Sequence, residues 1–86
     1  MVPSELLTLL SKDDVDEVRE GVASNTRTRQ DTLEILAKDP NDYVRIGVAK
    51  NPIARQDTLR LLINDESEHI RMAAKASLAK LRKAPR

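Results

Sequence analysis

RQDTLEILAKDPNDYVRIGVAKNP, residues 29–52, spans almost one complete structural unit, and the chain then starts that unit again. RQDTLRLLINDESEHIRMAAKAS begins at Arg55, 26 residues after Arg29, and LLTLLSKDDVDEVREGVASN, residues 6–25, stands one period earlier. In this register residues 6–31, 32–57 and 58–83 form three units, the first two identical at 14 of 26 positions and the last two at 5. A fixed period of roughly 20–50 residues marks stacked units, each burying its apolar face against a neighbour. Such stacks present extended surfaces, which directs the functional reading toward binding rather than catalysis.

Each unit reads as two short helices. In the middle unit Asp31 is placed to cap the first helix, with Glu34 three residues later in capping-box spacing. Leu33, Leu36 and Ala37 then supply the i, i+3, i+4 stripe of a helix with one buried side. Asp39-Pro40 ends it, because a residue before proline avoids the helical region. Asn41 or Asp42 caps the second helix, whose stripe is Val44, Gly47 and Val48. Asn51-Pro52 stops that helix near Lys50. The third unit lacks the Asn-Pro break, and Ile70, Ala73, Ala74, Ser77, Leu78 and Leu81 keep helical spacing. One long closing helix over residues 66–83 is the expectation, covering the open end of the stack.

The period aligns Leu7 with Leu33 and Leu59, Leu10 with Leu36 and Leu62, and Val18 with Val44 and Ile70. Gly21, Gly47 and Ala73 make a small-residue column. Glycine inside a helix costs ~1 kcal/mol against alanine, so close approach of an adjacent helix is expected there. Leu9, Ile35 and Leu61 form a second apolar column on the first helices, expected to be covered by flanking units.

With 86 residues the chain is one all-α domain, residues 1–86. It has no cysteine and a single tyrosine as its only aromatic side chain, so neither disulfides nor thiolate metal sites enter. No apolar run is long enough for a bilayer span, and MVPSELLTLLSKDD has no basic leader. The expectation is a cytoplasmic protein. The net charge of +1 hides an asymmetry: residues 1–43 carry −5 and residues 44–86 carry +6. Such a dipole along the stacking axis suits head-to-tail self-association, and an uncapped apolar edge near Leu6 and Leu9 offers an apolar dimer instead.

Aspartate is followed six residues later by arginine once per unit, as Asp13–Arg19, Asp39–Arg45 and Asp65–Arg71. The expectation is a structural ladder in which each arginine bridges its own aspartate and that of the next unit. Arg29 and Arg55 precede the first helices in identical RQDT segments and are candidates for anion contact. Tyr43, Ile46 and Lys50 share one side of the second helix, and His69 and Met72 repeat that side one period on. An apolar patch of this kind rimmed by lysine is a candidate protein-binding surface. Lys75, Lys80, Arg82 and Lys83 make the last helix basic. They either complement its dipole or, with Arg29 and Arg55, contact nucleic acid. His69 is the only histidine, and Glu66 and Glu68 beside it make a poor metal site.

The run DPNDYVRIGVAKNP resembles the leucine-rich repeat variant family, whose units carry D-x-x-x-x-V-R-x-x-V-A-x-N-P. Here those positions are Asp39, Val44, Arg45, Val48, Ala49, Asn51 and Pro52. The first unit keeps Asp13, Val18, Arg19, Val22, Ala23 and Asn25 but has Thr26 for proline. The third keeps Asp65 and Arg71, has Ile70 for valine and loses the Asn-Pro pair. The Asp/Arg spacing is also similar to HEAT repeats. The resemblance implies a right-handed α-solenoid. The family's founding type bears an iron–sulfur cluster on a cysteine module, which a chain without cysteine cannot hold.

No Gly-rich phosphate loop, Cys/His pair or metal triad is present, so no enzyme and no cofactor is expected. The function expected is a non-catalytic protein-binding or scaffold module with a protein partner and no membrane. Nucleic-acid binding through the basic half, or self-association, is the alternative.

Overall fold

The computed structural model describes residues 3–83, with side chains through Arg82. Six helices follow in order: α1 Pro3–Leu10, α2 Asp16–Ser24, α3 Gln30–Leu36, α4 Asp42–Lys50, α5 Gln56–Leu62 and α6 Glu68–Lys83. Among the described residues there is no strand, and no helix is long and apolar enough to cross a membrane. The helices α2, α4 and α6 pack side by side in series, while α1, α3 and α5 hold to the outer side of that row. The result is a slab of 35 × 31 × 15 Å.

The core is the column set anticipated from the period. Leu33, Leu36, Val44, Val48, Leu59, Leu62, Ile70 and Ala74 are buried, with Val22 and Ala23 from α2 beside them. Burying each such Leu, Ile or Val contributes ~1.5–3 kcal/mol.

Local rules set the helix ends. Asn41 caps α4, its side-chain oxygen accepting from the backbone N–H of Tyr43 at 2.8 Å and of Val44 at 3.3 Å. Asn51 leaves the helix in an extended conformation ahead of Pro52. Its buried amide then donates to the carbonyls of Ala23 at 2.9 Å and Asn25 at 3.0 Å, satisfying acceptors that the end of α2 leaves open. Ser77, one period on, donates to the carbonyl of Ala49 at 2.6 Å. Serine needs no chain break to do this, and α6 runs through it without a stop.

Four expectations are corrected. Asp31 does not cap α3: the cap position falls two residues earlier, at Arg29, with no side-chain bond, and the helix runs from Gln30. The closing helix begins at Glu68 rather than near residue 66, because Asp65 and Ser67 are engaged in a turn. Gly47 is tightly approached: a Cβ on it would meet Ala23 Cβ and Ser24 Oγ at 3.0 Å. Gly21 is not; a Cβ there would meet nothing within 4 Å, since among the described residues no helix lies on that side of α2. The Leu9–Ile35–Leu61 column is exposed rather than covered, with Ile35 at 63%. Thr8 and Thr32 join α1 to α3 at 3.3 Å, but the column lies on the sides of these helices that no other element among the described residues covers.

Aspartate and arginine join consecutive units in a regular way. Arg19 Nη1 donates to the carbonyl of Asp13 at 2.9 Å, while its Nε donates to the carboxylate of Asp39 at 2.8 Å. Arg45 repeats this on the carbonyl of Asp39 at 2.8 Å and the carboxylate of Asp65 at 2.9 Å. Arg71 Nη1 donates to the carbonyl of Asp65 at 2.8 Å. Each aspartate also closes its own turn by accepting a backbone N–H two residues on, from Val15, Asn41 and Ser67. An arginine therefore reads its own unit through a carbonyl and the following unit through a carboxylate.

Burial alone would push the Asp39 carboxyl up. The Arg19 hydrogen bond, the Asn41 N–H and the charges of Arg19 and Arg45 outweigh it and hold the group below its ordinary range. The hydrogen bond from Arg19 to Asp39 raises the arginine's own pKa, against its partial desolvation. Burial would lower Arg45, but Asp65 and then Asp42 more than reverse that.

Candidate protein-binding face

The cap at Asn41 turns the first residue pair of α4 outward and leaves Tyr43 69% exposed. Three residues on, Ile46 points to the same side but is half-buried against the core, beside Ile70. From α6, His69 comes alongside. Asp42, Tyr43, Ile46, Ser67, His69 and Ile70 line one open groove of about 360 Å³ between α4 and α6. Its floor is apolar, from Ile46 and the buried Ile70, and its rim carries a phenol, an imidazole and a carboxylate. Such a groove can hold an apolar side chain of a partner while its rim offers hydrogen bonds.

The five residues expected to form one patch are thus divided. Tyr43, Ile46 and His69 share the groove. Lys50 lies at the other end of α4, in a separate recess of about 110 Å³ with Pro52, Ser77, Lys80 and Leu81. Met72 is 61% exposed and lines neither of these. The expected patch is broken because Ile46 sinks between α4 and α6 while Met72 has, among the described residues, no further helix to sink against.

The anion candidates are dispersed. Arg29 pairs with Asp31 at 3.6 Å, both largely exposed, and Arg55 is exposed ahead of α5. Lys75 and Arg82 rim an open groove of about 440 Å³ with Ile63, Leu78 and Ala79, whereas Lys80 lies in the recess with Lys50. The side chain of Lys83 lies outside the described residues. Among the described residues no three His, Asp or Glu side chains gather closely enough to hold a metal ion.

Sequence reasoning missed a second apolar face. Leu9, Ile35 and Leu61 are exposed at equivalent positions of α1, α3 and α5. Next to them is a groove of about 560 Å³ lined by Ala37, Pro40, Leu61, Leu62, Asp65 and Glu66 among others. The signal was present: seven-residue helices whose buried stripe is already complete with Leu33 and Leu36, or Leu59 and Leu62, have no inner place left for Ile35 or Leu61.

No protein-family model, curated protein or solved structure matches this chain.

Proposed function

We propose that the chain is a right-handed α-solenoid of three two-helix repeats, akin to the leucine-rich repeat variant family, and that it acts as a non-catalytic protein-binding module. The aspartate–arginine ladder and the equivalent burial of residues 26 apart support the repeat reading. The observation that carries the binding reading is the groove between α4 and α6, where an apolar floor lies beside an exposed Tyr43. Tyrosine at a groove rim adds large contact area at low entropic cost, which is why it recurs in binding hot spots. The partner segment is one that inserts an apolar side chain between Tyr43 and His69.

The test uses the tagged full chain to capture partners from its native extract, with Tyr43→Ala and His69→Ala in parallel. A polypeptide retained by the parent and lost by both variants, at unchanged melting temperature, is the expected outcome. Capture indifferent to both substitutions removes this groove from the function. Nucleic-acid contact through Lys75, Lys80 and Arg82 is the alternative reading, drawn from their exposure on α6. A mobility shift at low salt that survives neutralising them counts against it.

A further inference from the structure

The two ends of the molecule carry the two halves of a contact that its interior makes twice. Arg19 meets the Asp39 carboxylate at 2.8 Å, and Arg45 meets that of Asp65 at 2.9 Å. Arg71 makes only the carbonyl half, to Asp65 and Glu66, and among the described residues no carboxylate lies within 4.0 Å of it. At the other end the Asp13 carboxylate accepts the Val15 N–H and receives no guanidinium among the described residues.

Other positions at the α1–α2 end likewise lack, among the described residues, the neighbour that their counterparts have. Leu6 is 49% exposed where its counterparts Thr32 and Thr58 are buried at 2% and 3%. Gly21 weakens α2 as glycine does in any helix, yet only the equivalent Gly47 meets another helix. Asn25 stands in the column of Asn51 but its amide N–H groups find no acceptor among the described residues, while Asn51 donates two bonds to the preceding unit.

The α6 end is its complement. Met72 is exposed at the position of Ile46, which shares a groove with Ser67, His69 and Ile70 of the following unit. Extending the period by one unit would set Met72 against residues equivalent to these, namely Val15, Glu17 and Val18. Lys75 replaces the alanine of Ala23 and Ala49, and the residue opposite this column in the interior is Gly47. A lysine stem needs the space that Gly21 leaves open. Charge agrees: Asp13, Asp14 and Glu17 stand at one end, Asp16 being held by Arg19 and Asn41, and Arg71, Lys75 and Arg82 outnumber Glu68 at the other. Pairing like ends would oppose like charges.

We propose that a second copy of this chain stacks its α1–α2 end on the α6 end of the first, with Arg71 of one copy on Asp13 of the next. This surface is distinct from the groove at Tyr43, although Met72 belongs to it. The contact is heterologous, so it does not saturate at a dimer and each addition exposes a fresh end.

Sedimentation velocity of the full chain over a concentration series tests this. At low salt the average mass should rise past the dimer with concentration, and it should fall back in about 1 M salt, where the Debye length is ~3 Å. Gly21→Gln adds bulk where the monomer has room, so the variant keeps its helicity by circular dichroism. It should require about tenfold more protein to assemble. Arg71→Glu and Asp13→Arg should each remain monomeric, and an equimolar mixture of the two should assemble again. Tyr43→Ala should assemble as the parent does. A chain that stays monomeric throughout, an assembly that stops at the dimer, or a Gly21→Gln variant that stacks as readily as the parent overturns the proposal.

Discussion

Replacing Arg45 by alanine removes the central rung of the ladder, and the structure sets how much that should cost. Arg45 is 6% exposed, and its guanidinium serves the Asp65 carboxylate, the Asp42 carboxylate and the Asp39 carbonyl. Asp42 and Glu66 are 65% and 87% exposed on their side chains, and ion pairs to such groups contribute ~0–1 kcal/mol. The Asp65 side chain is only 9% exposed, and removing its cation strands a buried charge, which costs ~3–5 kcal/mol. Because Asp65 keeps the Ser67 N–H, the lower end applies, ~3 kcal/mol. Arg71→Ala is the control within the same motif. It loses two carbonyl hydrogen bonds and no carboxylate, so ~1 kcal/mol is expected. In a domain this small 1 kcal/mol moves the melting temperature by ~4–8 °C. Thermal unfolding followed by circular dichroism, in dilute protein so that single chains are compared, should therefore place Arg45→Ala at least ~12 °C below the parent and Arg71→Ala well above it. Arg45→Lys restores charge without the planar fork and should recover less than half of the loss. The reasoning fails if Arg71→Ala is as damaging as Arg45→Ala, or if Arg45→Ala melts within a few degrees of the parent.

Stability should fall in acid through Asp39: its folded pKa is depressed, so its contribution is present above the ordinary carboxylate range and lost as pH drops through the folded value. Melting temperatures measured downward from about pH 5 should show this, and Asp39→Asn should flatten that limb. Gly21→Ala and Gly47→Ala should act with opposite sign. The first gains ~1 kcal/mol of helix propensity into open space, and the second drives a methyl against Ala23 Cβ and Ser24 Oγ at 3.0 Å. Equal shifts in urea unfolding would refute the close packing of α2 on α4. Asn51→Ala deprives two carbonyls of α2's end and the Ile53 N–H of their partner, a loss of ~2–3 kcal/mol, and Asn51→Ser should recover part of it by analogy with Ser77.

The residues that made the helices legible are those whose chemistry acts locally. Asn41 caps whatever follows it, Pro52 ends whatever precedes it, and the leucines at 33, 36, 59 and 62 face inward at helical spacing. The aspartate–arginine register was legible too, because two charges recurring together every 26 residues imply a shared contact. Its form was legible in part: the reach of Arg19 and Arg45 to the aspartate of the following unit was expected, whereas their use of the carbonyl rather than the carboxylate of their own unit's Asp13 and Asp39 depends on how far one turn lies from another. The same limit explains the candidate site. Tyr43 and Ile46 align by period with His69 and Met72, and Lys50 shares their side of α4, yet Ile46 sinks between two helices and Met72 meets solvent.

The sequence by itself determined the helical class, the pairing of short helices, the inward columns and the motif of the ladder. All of these follow from periodicity and from interactions within a few residues. Only the tertiary structure decided that Gly47 is pressed and Gly21 is free, that Ile35 and Leu61 lie open, and that Arg71 and Asp13 are left half-used. A repeat makes positions equivalent in chemistry, while burial depends on whether a neighbour is there, and among the described residues the first and last units each have one on a single side.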